Sequence, residues 1–151
     1  MGYRTVIFAV ASGLLAAAPA WGDTAAPLVT ANHLAIHVKS LDASMRFYTD
    51  ILGLQKISAK IPPHIIWLKT GDFELHLVGG RTQPVQAPRE VHLAFRVPDL
   101  ATVTSKLDAN RIVWGNFAGE AGVRQQRTDG VLQIYFSDPD GYWIEVNQLP
   151  R

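Results

Sequence analysis

From Asn32 onward, apolar and polar residues alternate in short runs interrupted by two helical stretches, and the order of the runs occurs twice. Residues 32–38 show the period of two that marks a strand with unlike faces. Leu41-Asp42-Ala43-Ser44 then opens a helix, with Asp42 the expected N-cap, Met45, Tyr48, Ile51 and Leu52 at helical spacing, Phe47 flanking them, and Gly53 the stop. Residues 54–60, 65–70 and 73–79 read as three strands, separated by Pro62-Pro63 and by Gly71-Asp72. A linker with two Pro and two Gln follows over residues 80–88, and the order recurs: strand 91–97, helix 100–110, then strands 112–117, 131–136 and 142–147. Asp138-Pro139-Asp140-Gly141 supplies the last hairpin turn. Residues 115–130 are long, Gly-rich and charged, which suits a lid over a pocket or a plain surface excursion equally. The expected class is α+β, with two βαβββ modules (residues 31–80 and 90–148) forming a curved mixed-sheet cup in one domain, 31–149.

Alternation also assigns the faces. Leu34, Ile36, Val38, Phe73, Leu75, Leu77, Leu93, Phe95, Val97, Ile144 and Val146 form the set expected to pack under the helices. The opposite face carries His33, His37, Glu74, His76, His92, Arg96, Trp143, Glu145 and Asn147. It is rich in coordinating atoms, where an ordinary wetted face would hold Lys and Thr.

The two units echo each other residue by residue. Asn32-His33-Leu34-Ala35-Ile36-His37-Val38 returns as Val91-His92-Leu93-Ala94-Phe95-Arg96-Val97, and Phe73-Glu74-Leu75 resembles Ile144-Glu145-Val146. A chain that repeats a His strand and a Glu strand has the means to gather two His and two Glu about a pseudo-twofold axis. Two carboxylates forced to ~4 Å repel by roughly 4 kcal/mol at an effective dielectric of 20, so holding both ionised calls for a cation. His33, Glu74, His92 and Glu145 are therefore the candidate ligands. Two N and two O donors suit Ni, Co, Zn, Mn or Fe better than calcium. Glu74 and His76 lie two residues apart on one face, so a register shift exchanges them. Glu74 is preferred because it matches Glu145 in the repeat, leaving His76 on the pocket wall.

Composition narrows the partners. The 151 residues carry a formal net charge of +1, too little and too scattered for a nucleic-acid footprint, so a small-molecule partner is expected. There is no Cys, which excludes disulfides and thiol chemistry. Arg4, the apolar run over residues 6–17 and Ala18-Pro19-Ala20-Trp21-Gly22 read as a secretory signal over residues 1–22, cut after Gly22 or Ala20 and followed by a linker, 23–30. The apolar run falls short of the ~18–20 residues a membrane span needs, so the mature protein is expected to be periplasmic or secreted, without stable membrane insertion. An uncleaved anchor is the alternative.

The run Phe47-Tyr48-Thr49-Asp50-Ile51-Leu52-Gly53-Leu54, with His33 and Val38 before it, resembles the first unit of the vicinal oxygen chelate superfamily, closest to its glyoxalase I branch. His92-Leu93-Ala94 and Asp138-Pro139-Asp140-Gly141-Tyr142-Trp143-Ile144-Glu145 resemble the second unit, and the likeness spans residues 32–147. The resemblance implies a divalent metal held by His33, Glu74, His92 and Glu145, with a glutamate, Glu145 by preference over Glu74, as the base. It also implies a homodimer whose sites are completed from two subunits. The implied activity is a metal-dependent lyase or isomerase of the lactoylglutathione lyase type. An extradiol-type dioxygenase and a non-catalytic drug-binding or resistance protein are the alternatives. His37, His76, Arg96 and Trp143 are candidate substrate-binding residues or plain wall residues. Glutathione-using members carry Arg at the place of His37, with Arg96 here at the symmetry-related place.

Overall fold

A computed structural model describes residues 28–148. The signal peptide expected at residues 1–22 lies outside the described residues, as does most of the linker at 23–30. Among the described residues no helix is long and apolar enough to cross a membrane.

The first module begins with β1 (His33–Val38), whose exit turn is closed by the Ser40 hydroxyl accepting the Ala43 N–H at 3.3 Å. Ser40, not Asp42, is thus the N-cap of α1 (Leu41–Arg46), because Asp42 already lies within the helix, in its first turn. The helix widens into a π turn (Phe47–Ile51) and stops at Gly53, whose φ of +75° only glycine adopts without strain. Three strands follow, β2 (Gln55–Lys56), β3 (Ile65–Thr70) and β4 (Phe73–Gly79). They form a sheet in the order β1-β4-β3-β2, with β1 parallel to β4 and the other pairs antiparallel.

The second module repeats this path. β5 (His92–Val97) leads through the Asp99 cap into α2 (Leu100–Ala109). Then come β6 (Trp114–Gly115), β7 (Gln125–Gln126), β8 (Leu132–Ser137) and β9 (Trp143–Gln148). Their sheet runs β5-β9-β8-β6, with β7 also on β8 and only β5–β9 parallel. The expected strands 54–60 and 112–117 shrink to two residues each, since Pro62-Pro63 and the glycines after Trp114 deprive them of partners. The excursion over 115–130 is tied down by β7 and by a bridge between Gly115 and Ala121.

Both sheets and both helices share one hydrophobic core. Ile36, Val38, Leu75 and Leu77 of the first sheet, Ile134, Phe136, Ile144 and Val146 of the second, and Phe47, Tyr48, Leu100 and Leu107 from the helices belong to a single buried cluster. Phe47 packs its ring 6.2 Å from that of Phe136, so the first helix rests on the second sheet. Of the apolar set read from alternation, Ile36, Val38, Leu75, Leu77, Ile144 and Val146 are buried in this core and Leu93, Phe95 and Val97 pack against it, with two corrections: Phe73 is only partly buried and lies outside the cluster, and Leu34 is 39% exposed. It sits near the end of an edge strand, and β1 pairs on one side only.

The Asp138-Pro139-Asp140-Gly141 turn staples the halves together. Tyr48 is fully buried, and its hydroxyl donates to Asp138 Oδ2 at 2.9 Å, while Asp138 Oδ1 accepts the N–H groups of Asp140 and Tyr142 at 2.9 Å each. Asp140 accepts from the Lys39 N–H at 2.8 Å and the Ser44 hydroxyl at 3.2 Å. Gly141 completes the turn at φ +98°, where a Cβ would also lie 3.1 Å from the Val85 carbonyl.

Burial pushes the Asp138 carboxyl above its ordinary range, and the Tyr48 hydrogen bond opposes that shift. Asp138 therefore costs the fold stability at neutral pH, and the cost is relieved as pH falls through its folded pKa. Tyr48→Phe removes a donor to a charged acceptor and is expected to lower stability by about 1.5–3 kcal/mol near neutral pH. The deficit shrinks on acidification, because the hydroxyl favours the ionised form. Urea unfolding of both proteins near pH 7 and near pH 4.5 measures the difference.

Candidate metal centre

The first sheet presents His33, Glu74 and His76 on the face opposite the core, because Leu75 and Leu77 between and beside them point inward and are fully buried. His33 lies directly across from Glu74 in the parallel β1–β4 register, and Ala35 lies across from His76. Asn32 Oδ1 accepts from His33 Nδ1 at 2.6 Å, which leaves the His33 Nε2 lone pair free. The His76 ring is sandwiched between His33, at 4.2 Å, and Trp67, at 4.7 Å, both nearly parallel to it. Its Nε2 lies 2.9 Å from Glu74 Oε2.

The second sheet presents His92 and Glu145. His92 Nδ1 donates to the Arg89 carbonyl at 2.7 Å, so Nε2 turns toward Glu145 Oε2, 3.1 Å away. Glu145 is 6% exposed. It accepts from the Tyr135 hydroxyl on Oε2 and from Asn147 Nδ2 on Oε1, the latter at 2.5 Å. Burial, then the hydrogen bond to Glu145 and its charge, push the Tyr135 phenol well above its usual pKa, so it stays a donor throughout the working pH range. Phe117, brought over by the 115–130 excursion, meets Tyr135 edge-on at 5.5 Å. Arg89 lies over Trp143 at 4.3 Å and donates to the Phe117 carbonyl.

These side chains fit a divalent ion. In both halves an imidazole gives one N–H to an oxygen acceptor and turns its other nitrogen outward, the preparation metal-ligating histidines show. A neutral His92 would set its Nε2 lone pair against a carboxylate lone pair at 3.1 Å, an arrangement that a proton or a cation resolves. Yet among the described residues no three His, Asp or Glu side chains form a group that could hold a metal ion. The candidate donors thus fall into two groups, His33 with Glu74 and His76 on one sheet, and His92 with Glu145 on the other. Packing explains the separation: the shared core takes the inner faces of both sheets, which leaves the donor faces outside it.

The remaining candidates are placed as follows. His37 is exposed, with Nε2 3.2 Å from the Gly79 carbonyl, and its backbone N–H and C=O both bond the Tyr142 hydroxyl at 3.2 Å. Arg96 is exposed on β5, across from Asn147. Trp143 is fixed by its Nε1 donating to the Ala87 carbonyl at 3.2 Å, which makes it a wall of the second half-site. Sequence reasoning missed Tyr135, Arg89, Trp67 and Phe117. Tyr135 was within reach, since it is the cross-strand partner of Glu145 on the antiparallel β8–β9 pair.

A family model described as the Glyoxalase/Bleomycin resistance protein/Dioxygenase superfamily matches residues 30–146. The chain belongs to that superfamily. Among curated members, a probable lactoylglutathione lyase of Synechocystis sp. is 30% identical over 132 residues, covering 77% of this chain and 92% of its own. Glyoxylase I 4 of Arabidopsis thaliana is 28% identical over 130 residues, covering 79% and 70% respectively. Among solved structures, oxidase ChaP-H2 superposes with a TM-score of 0.68 at 26% identity, covering 82% of this chain and 96% of its own.

Tyr135→Phe strips the buried Glu145 of a donor while keeping the ring. Its Ni(II) or Co(II) affinity, read by isothermal titration, is expected to fall by about 10–100-fold, the usual effect of losing a group that orients a ligand, with the circular dichroism unchanged.

Proposed function

We propose that two chains pair so that His33 and its neighbours on one subunit meet His92 and Glu145 on the other, completing a divalent-metal centre for glyoxalase-type proton transfer. The observation that carries this reading is the His92–Glu145 pair, 3.1 Å apart, with the other nitrogen of one and the other oxygen of the other already engaged. Exposed Leu34 on β1 and Val91 beside β5, 39% and 64% accessible, lie next to the two histidines at strands that pair on one side only, and a second subunit would cover them.

A bound divalent ion supplies Lewis-acid polarisation of a substrate oxygen. The chain supplies the rest. Glu145, held in one orientation by Tyr135 and Asn147, is positioned to take a proton from the carbon beside that oxygen and to return it to the neighbouring atom. Trp143 and Phe117 wall the site against water, and Arg89, stacked on Trp143, keeps positive charge beside it. The substrate class is a small oxygenated, anion-forming molecule. His37 is partly engaged by Gly79, leaving Arg96 as the free cation of the matched pair, so glutathione is not assigned as a co-substrate. Export through a cleaved signal over residues 1–22 belongs to the same proposal.

The likeness to oxidase ChaP-H2 favours a second reading, in which two histidines and Glu145 hold iron for oxygen chemistry. Metal analysis of the purified mature protein, with assays on methylglyoxal plus glutathione and on catechols with oxygen uptake, separates the two. Stoichiometric metal with proton-transfer turnover supports the first, and iron with oxygen consumption supports the second. Glu145→Ala is expected to lose both metal and turnover, and full activity in it contradicts the assignment. Inactive His33→Ala and Glu145→Ala proteins, mixed and allowed to exchange subunits, are expected to regain about a quarter of wild-type activity, since half the dimers are mixed and each mixed dimer has one intact site. No recovery on verified exchange contradicts a shared site.

A further inference from the structure

The strand registers align the two half-sites differently from the order of residues along the chain. Ala35 and Ala94 hold matched places in the repeat; the first pairs with His76, the second with Glu145. His33 and His92 are likewise matched, and they pair with Glu74 and Trp143. Burial agrees, because His76 lies between the fully buried Leu75 and Leu77 as Glu145 lies between the fully buried Ile144 and Val146. The far neighbours agree too: an aromatic ring on the next strand faces each of them, Trp67 across from His76 and Tyr135 across from Glu145. The counterpart of Glu145 is therefore His76, and Glu74 takes the place of Trp143.

Resting on the metal centre proposed above, we infer that His76 is its fourth ligand and that Glu74 is a positioning residue, accepting a ring N–H of His76 so that the other ring nitrogen faces the ion. The 2.9 Å contact between His76 Nε2 and Glu74 Oε2 is the carboxylate–imidazole pairing that orients a ligating histidine. The rings of His33 and His76 are stacked face to face at 4.2 Å, which keeps two imidazoles together on one subunit. The centre then has three imidazoles and one carboxylate. With a divalent ion it keeps one net positive charge, where two carboxylates would cancel it. That charge favours a substrate binding through an anionic oxygen, and the nitrogen-rich donor set favours Co, Ni or Zn over Mn.

The test is proton NMR of the Co(II)-loaded mature protein, in which each ligating histidine contributes one exchangeable, far-shifted imidazole N–H signal. Three such signals are expected in the unaltered protein. His76→Gln should show two. Glu74→Gln should keep three, with one displaced, and bind Co(II) about 10–100-fold more weakly. Two signals in the unaltered protein, both persisting in His76→Gln, overturn the assignment and leave the metal centre standing. An unaltered protein with no shifted signals overturns both. Should either variant fail to fold, the count in the unaltered protein decides.

Discussion

One hydrophobic core serves two sheets, and this constraint governs where every reactive group can go. Because the inner faces of both sheets and the buried sides of both helices are committed to a single cluster, alternation sends His33, Glu74, His76, His92 and Glu145 to the outer faces. Rotating either sheet to close a four-ligand site inside one chain would expose Leu75, Leu77, Ile144 and Val146, all of them fully buried. At about 1.5–3 kcal/mol for each such side chain, that exposure costs roughly 6–12 kcal/mol. In the proposed centre a second chain supplies the other half without disturbing the core.

The joint between the modules is polar and sits where the sequence is most distinctive. The turn from Asp138 to Tyr142 lies only a few residues from Glu145. Its side chains face the other way. Asp138 holds Tyr48, Asp140 holds Lys39 and Ser44, and the Tyr142 hydroxyl satisfies both backbone groups of His37. The turn thus fixes where β9 begins and, through it, the depth at which Glu145 lies. Its influence on chemistry is exerted through position.

Much of this was legible in the chain. The period of two named the strand residues Ile36, Val38, Leu75, Leu77, Ile144 and Val146 of the core, and the repeat set His33 and His92 at matched places. Local competition accounts for what was not legible. Ser40 outcompetes Asp42 as a cap because the helix starts two residues earlier than the acidic residue suggests. Leu34 is exposed because an edge strand has a neighbour on one side only. The match of Phe73-Glu74-Leu75 to Ile144-Glu145-Val146 compares letters, whereas hydrogen-bond register compares places, and a two-residue offset keeps every side chain on its face while exchanging Glu74 for His76. Arg89 lies in a connecting segment, and Tyr135 matches Trp67 in place but not in residue type, so the repeated letters gave neither a role.

The proposed centre requires a cation enclosed between chains and never within one. Anomalous X-ray scattering from crystals grown with Co(II) or Zn(II) tests it directly. A strong peak is expected between His33 and His76 of one subunit and His92 and Glu145 of the other, two per dimer. A peak bounded by residues of a single subunit, or ordered metal found only away from both half-sites, would contradict it.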